Sequence, residues 1–268
     1  RTTGPGVDNP TGDDEIFLMN RDGTGLEQLT FNTAIDEDPA YSPDGKHIAF
    51  TTDRDGNLEV YKMNVDGSNP TNLTKNPETD FEPAYSPDGK HIAFATKRDG
   101  AYQVYEMQAN GSNPTNLTKS PARDYEPAYS PDGEHIAFTT NRDGNIEVYE
   151  MKADGSNPTN LTKNPKLDGQ PAYSPNGERI AFTTTRDNDK DEVYEMKADG
   201  SNPTNLTKSP ENDFEPAYSP DGKHIAFVTT RDNDEEVYKM NVDGSTPTNL
   251  TKNPAFDLNP VWQPNKKK

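Results

Sequence analysis

The stretch PAYSPDGKHIAFATKRDGAYQVYEMQANGSNPTNLTKSPARDYE, residues 83–126, decides the fold because the chain repeats it. Its opening proline recurs at Pro39, Pro83, Pro127, Pro171 and Pro216, and a divergent sixth copy, PVWQP, begins at Pro260. The spacings are 44, 44, 44, 45 and 44 residues. A repeat of about 40–50 residues marks a propeller or a solenoid. Within the unit, Ala84-Tyr85-Ser86 reads as a first strand, A. Ser86-Pro87-Asp88-Gly89 is a turn, with proline fixing φ and glycine supplying φ > 0. Strand B follows as His91–Thr96, then the Arg98-Asp99-Gly100 turn and strand C at Gln103–Met107. An Asn110-Gly111-Ser112 turn leads to strand D at Thr115–Thr118. Nothing has helical period or length.

Apolar residues are few but keep their places. The six methionines share one strand C position: Met19, Met63, Met107, Met151, Met196 and Met240. Leu29, Leu73, Leu117, Leu161, Leu206 and Leu250 hold strand D. Strand A carries Tyr41, Tyr85, Tyr129, Tyr173 and Tyr218, with Trp262 in the sixth place. A single four-stranded unit cannot bury both of its faces, but units stacked around an axis cover each other. The expected fold is all-β: a six-bladed β-propeller of four-stranded antiparallel blades, its closing blade shared between the N- and C-termini. Residues 1–13 read as a lead-in, 14–264 as one propeller domain and 265–268 as a basic tail.

Composition alone points elsewhere. Leu, Ile, Val and Phe supply 39 of 268 residues and net charge is −19, a balance usual in disordered chains; the repeat overrules it. The charge disfavours nucleic acid, which needs clustered Lys and Arg, and anionic membranes. With no cysteine, disulfides and thiolate chemistry are excluded. No apolar run is long enough to span or insert in a membrane, and no signal peptide is seen in these residues.

The unit PAYSPDGKHIAFTTDRDGNLEVYKMNVDGSNPTNLTKNP, residues 39–77, resembles the repeat of the TolB-like β-propellers, through SPDG, IAF, a DRDG turn, EVY and a DG turn. The resemblance runs from about Asp14 to Pro264. It implies a prokaryotic periplasmic or extracellular protein that binds other proteins. The same family supplies propellers that gate substrate for prolyl-oligopeptidase-type hydrolases. TolB itself carries a further N-terminal domain, which has no counterpart in these residues.

The ends meet in the sixth unit. Pro260–Pro264 reads as strand A, Glu15–Met19 as strand C and Leu26–Thr30 as strand D. Strand B occurs only five times, with IAF at Ile48, Ile92, Ile136, Ile180 and Ile225. Arg1 aligns best with Arg54, just beyond strand B. Lys266–Lys268 fall at its start, and Arg1-Thr2-Thr3 is too short to replace it. A gap or irregular substitute is expected there. Either the strand was trimmed or diverged, or the slot takes a strand from another chain.

Three residues before each strand A proline stand Asp36, Asp80, Asp124, Asp168, Asp213 and Asp257. One residue before it stand Asp38, Glu82, Glu126, Gln170, Glu215 and Asn259. On the innermost strand these would ring one channel mouth. They read as a receptor for a cation or basic peptide, or as loop caps accepting backbone N–H groups. No cofactor is required. Of metals, Ca2+ best suits an all-oxygen ring on the six aspartates. The acidic DRDG turns could also offer calcium ligands but lack the other positions of an EF-hand loop, so hairpin turn chemistry accounts for them. His47, His91, His135 and His224 all precede IAF and follow the repeat. The serines do likewise, and no GxSxG elbow or phosphate loop is present. Asn72, Asn116, Asn160, Asn205 and Asn249 open Asn-Leu-Thr triplets, read as strand D rather than glycosylation sites. Lys75, Lys119, Lys163, Lys208 and Lys252 suit edge strands.

The leading reading is a non-catalytic scaffold that binds a protein or basic peptide at an acidic channel-mouth face. The alternatives are a self-assembling or engineered module that uses the incomplete sixth blade, with another copy of itself as partner, and a substrate-gating fragment of a hydrolase.

Overall fold

The computed structural model describes residues 2–3, 12–187 and 189–265. Arg1, most of the lead-in and the tail lysines Lys266–Lys268 named above lie outside them, as does Asn188.

Strands are lettered A to D from the propeller axis outwards. Five sheets are complete, each four-stranded, antiparallel and connected in sequence order. In the third blade A is Asp124–Tyr129, B is His135–Thr140, C is Glu147–Lys152 and D is Thr159–Asn160. Strand A begins three residues before its proline, earlier than the Ala-Tyr-Ser reading. Strand D is two residues long; the Leu161 N–H still donates to the Val148 carbonyl, and the chain then turns away. The first strands of successive blades contact one another, which places them around the axis.

Turn chemistry fixes each hairpin. In the Ser-Pro-Asp-Gly turn of the third blade, Ser130 Oγ donates to Asp132 Oδ1 and accepts the N–H of His135. The histidine position thereby starts strand B, at the end of the blade away from the aspartates. The outer Asp-Gly turn does more than reverse the chain. Gly155 has φ of 83°, and a Cβ there would lie 2.5 Å from the Leu117 carbonyl oxygen of the preceding blade. Only glycine allows this backbone approach.

The core lies between blades. Ala93, Val104 and Leu117 of one blade meet Ile136, Phe138, Tyr149 and Met151 of the next. The same set recurs around the ring. Strand B supplies Ala to one face and Ile and Phe to the other, so it is the buried centre of every complete blade. Five of the six methionines are almost fully buried, whereas Met19 is half-buried. The strand A tyrosines lean on these clusters, and Tyr129 donates from its hydroxyl to Glu106 of the neighbouring blade at 2.6 Å.

The sixth sector is built from both ends, but as two short pairs. Phe17–Leu18 pairs with Glu27–Gln28, and Thr2–Thr3 pairs with Phe256–Asp257. Among the described residues no strand joins the two pairs. The expected alignment, which set the N-terminal residues just beyond strand B, is corrected by the register of Thr2. Thr2 faces Asp257 as Thr52 faces Asp36, so the N-terminus enters at the last residue of strand B.

Candidate functional site

Every complete strand A carries a bulge. In the second blade the register shifts between Phe81 and Ala84, leaving Glu82 and Pro83 outside the ladder. The residue before the proline takes a left-handed conformation in all six sectors, with φ of 49° at Asp38, 52° at Glu82, 53° at Glu126, 54° at Gln170, 53° at Glu215 and 51° at Asn259. A side chain other than glycine is uncommon there, and such strain persists only where surroundings impose it.

Those surroundings are a row of hydrogen bonds that runs from blade to blade, from Glu82 to Asn259. The Glu126 N–H donates to Glu82 Oε2 at 2.6 Å, Gln170 to Glu126 Oε2 at 2.8 Å, Glu215 to Gln170 Oε1 at 3.2 Å and Asn259 to Glu215 Oε2 at 2.6 Å. Strand B threonines complete it: Thr51 donates to Asp38, Thr139 to Glu126 and Thr183 to Gln170. The carboxylates expected at the mouth thus tie blade to blade. Burial and the neighbouring charges of Glu126 and Asp38 push the Glu82 carboxyl well above its usual range, and burial raises Glu126 as well.

The six aspartates are placed differently from the expected open ring. Asp36, Asp80, Asp124, Asp168 and Asp213 are fully buried, and Asp257 nearly so. The first five are each held by the arginine of their own blade's B–C turn: Arg54, Arg98, Arg142, Arg186 and Arg231, at 2.8 to 3.0 Å. Each guanidinium also lies over the strand B phenylalanine and strand C tyrosine, at 5.3 and 5.0 Å for Arg98 over Phe94 and Tyr105. These five carboxylates are therefore engaged under the channel wall and do not present a free calcium or peptide site. Their partner was missed because it stands 18 residues away. The signal was the Arg-Asp pair following each strand B, read only as a turn.

The remaining turn residues are engaged too. Asp99 accepts from the Tyr105 hydroxyl and from Asn116 Nδ2, so the DRDG carboxylates are not open calcium loops. Asn160 Oδ1 caps the N–H groups of Thr162 and Lys163 at 3.0 and 2.9 Å. The Asn-Leu-Thr triplets are thus turns that end strand D, and the lysines follow the edge strand with φ of 45° to 50°.

Symmetry breaks at one place on the mouth. The residue after each aspartate is Glu37, Phe81, Tyr125, Gly169, Phe214 or Leu258. Gly169 lacks the wall the others supply and opens a cavity of about 350 Å³ between the third, fourth and fifth blades. Tyr125 and Phe214 flank it, and Glu126, Asp191 and Glu235 place three carboxyls on its lining. Among the described residues no Lys or Arg lines it. Burial raises the Asp191 carboxyl above its ordinary value. Carboxylates beside aromatic rings can hold a cation.

A second carboxyl stands apart from the mouth pocket. Glu15 is fully buried and its Oε2 has no hydrogen-bond partner. Burial lifts it from 4.5 to about 7, against the weaker pull of Thr30 and the Asn32 N–H. The folded chain therefore holds this proton more tightly than the unfolded chain. Its contribution to stability is full below about pH 4.5 and is lost as pH rises through about 7. Gln103, at the equivalent position of the second blade, shows that a neutral amide fits. Glu15→Gln is expected to melt higher than the parent at pH 8 and to show a smaller rise in Tm between pH 8 and pH 5. Identical pH profiles would show that Glu15 is solvated.

Three overlapping stretches, residues 7–80, 71–168 and 159–268, match the sequence model of the TolB beta propeller domain. The chain belongs to the TolB beta propeller domain family. A TolB structure from Agrobacterium tumefaciens is 26% identical with a TM-score of 0.79, covering 88% of this chain and 87% of that one. TolB from Acinetobacter baumannii superposes at a TM-score of 0.81 with 21% identity, over 97% of this chain and 66% of that one. The second likeness concerns the fold alone. A TolB homolog of Chlorobium luteolum is 44% identical over 46 residues, 17% of this chain and 11% of that protein. The chain thus matches only a small part of that curated relative's length. No helix among the described residues of this TolB-type propeller is long and apolar enough to cross a membrane.

Proposed function

We propose that this propeller is a non-catalytic scaffold whose channel mouth binds a basic segment of a protein partner. The family supports a protein-interaction role in general, and a periplasmic setting accords with it. The observation that carries the finer reading is the cavity at Gly169, with three carboxyls, two aromatic rings and no cation on its lining. A Lys or Arg side chain entering there would meet opposite charge and ring faces in a site partly shielded from water.

The test uses an arginine-bearing peptide, acetyl-Gly-Arg-Gly-amide, titrated by calorimetry in low and high salt, with Ca2+ as a separate arm. Saturable peptide binding that weakens with salt is expected, because exposed charges are screened over about 8 Å at physiological ionic strength. Gly169→Phe should reduce it at least tenfold. Its Cβ would lie 3.3 Å from Glu126 Oε2 and Thr139, and Phe81 and Phe214 show that the ring fits at this position. Asp191→Asn with Glu235→Gln should weaken binding without filling the space. Binding undiminished in both variants, or no binding by the parent, overturns the reading. Calcium binding with no peptide binding would make the mouth a metal site instead.

A further inference from the structure

We infer that the Ser-Pro-Asp-Gly turn of the third blade is a binding site for a first-row divalent metal ion, held by Asp132, Glu134 and His135. It lies at the end of the blade away from the channel mouth, so it is independent of the basic-segment reading. One ligand atom from each of the three side chains lies within 4.8 Å of the other two. Among the described residues no other three His, Asp or Glu side chains come together in this way. Asp132 and Glu134 are exposed and His135 is half-buried, so the ion would keep coordination positions open to water.

The turn occurs in five copies, and their differences isolate the site. The first, second and fifth blades read Asp-Gly-Lys-His, at Asp44–His47, Asp88–His91 and Asp221–His224. The fourth reads Asn176-Gly177-Glu178-Arg179. Only the third carries Asp, Glu and His together. In the first two blades the lysine ammonium sits on the aspartate, Lys46 at 3.5 Å from Asp44 Oδ2 and Lys90 at 3.2 Å from Asp88 Oδ2. Glu134 stands in the lysine's place. The turn that holds a cation in those blades thereby gains a second carboxylate, next to an imidazole. His135 by itself follows the repeat; the residue before it departs from it.

The turn prepares its ligands. Ser130 Oγ and the Glu134 N–H both donate to Asp132 Oδ1, at 2.6 and 3.0 Å, and the His135 N–H donates to Ser130 Oγ at 2.9 Å. The same two bonds fix Asp44, whose other oxygen takes the lysine ammonium. Bonds of about 2.0–2.2 Å to a tetrahedral ion set its ligands about 3.4 Å apart, a closure that two exposed side chains reach by rotation. Imidazole together with carboxylates suits Zn2+ and its first-row neighbours, whereas Ca2+ and Mg2+ take oxygen ligands. Lys152 faces His135 across the B–C hairpin. Its positive charge opposes the ion and limits the affinity.

The full chain is titrated with ZnCl2 by calorimetry, with Ca2+ as a separate arm. One saturable Zn2+ site of micromolar affinity is expected, with Ca2+ at least tenfold weaker. Each ligand has a substitute that a sister blade already carries, so the variants keep the turn: Glu134→Lys after Lys90, His135→Arg after Arg179 and Asp132→Asn after Asn176. Each should weaken the site at least tenfold, and His91→Arg should leave it unchanged. In NMR spectra the imidazole signals of His135, assigned by their loss in His135→Arg, should shift ahead of those of the other three histidines. Undiminished Zn2+ binding in Glu134→Lys, an equal loss in His91→Arg, or Ca2+ binding as tight as Zn2+ each overturns the inference. So does the absence of saturable binding at millimolar Zn2+. Weak uptake spread evenly over the histidines would show an adventitious ion only and overturn it too.

Discussion

Arg98→Ala should lower Tm by about 10 °C at pH 8, corresponding to roughly 3 kcal/mol in a domain of this size. Asp80 is fully buried, and the Arg98 side chain is only 15% exposed. Burial already raises the Asp80 carboxyl above its ordinary value, more than Arg98 and Thr96 lower it. Removing the guanidinium leaves a buried charge without its partner and strips cover from Phe94 and Tyr105. The defect should shrink as pH falls and Asp80 takes up a proton. Asp80→Asn should cost less, because it removes the charge and keeps hydrogen-bonding atoms. The double variant should be more stable than the sum of the two losses implies. Thermal melts of the parent, both single variants and the double variant check this. A change of under 1 °C in Arg98→Ala would show that solvent screens the pair.

Phe138→Ala should cost about 3–5 kcal/mol, the usual range for deleting a buried aromatic ring. Phe138 is fully buried and belongs to the cluster where the second blade meets the third. Tyr149 lies 6.0 Å away between ring centres and Arg142 covers the ring at 5.1 Å. The neighbours are backbone-anchored strand residues that cannot close the space. A propeller is held by contacts between successive blades, so loss at one interface weakens the whole ring. Phe138→Leu should recover a large part of the loss. Denaturant midpoints check both, and equal midpoints for Ala and Phe would show that the interface repacks freely.

These two residues illustrate what was legible and what was not. Phe138 announces itself: it stands in IAF, within a short apolar run, and the motif occurs five times. Apolar runs and their recurrence are signals written along the chain, and they carry blade, strand and core. Arg98 stands two residues before Gly100 in a turn, and a turn is a sufficient explanation of its neighbours. Its pairing with Asp80 arises only when the A–B hairpin brings Asp80 opposite Thr96, two residues from the arginine. The sequence therefore showed an unbroken row of aspartates but not the arginines that bury them.

The mouth followed the same division. Glu82, Glu126 and Glu215 were correctly placed near the axis by the repeat. Their direction depends on a bulge and a left-handed residue ahead of proline, a conformation these residue types do not favour alone. Hydrogen bonds from neighbouring blades hold it, and those exist only once the blades are packed side by side. Gly169 carried a visible departure from the repeat, but its meaning lay in the absent side chain and the two blades around it. The missing sixth strand B was countable from the IAF motifs. That the two ends meet there as two short pairs, Phe17–Leu18 with Glu27–Gln28 and Thr2–Thr3 with Phe256–Asp257, required the assembled blades. Turn residues and side-chain alternation act within a few residues and determine the blade. Burial, charge pairing and cavity shape depend on chain segments a whole repeat or a whole ring apart, and only the tertiary structure decides them.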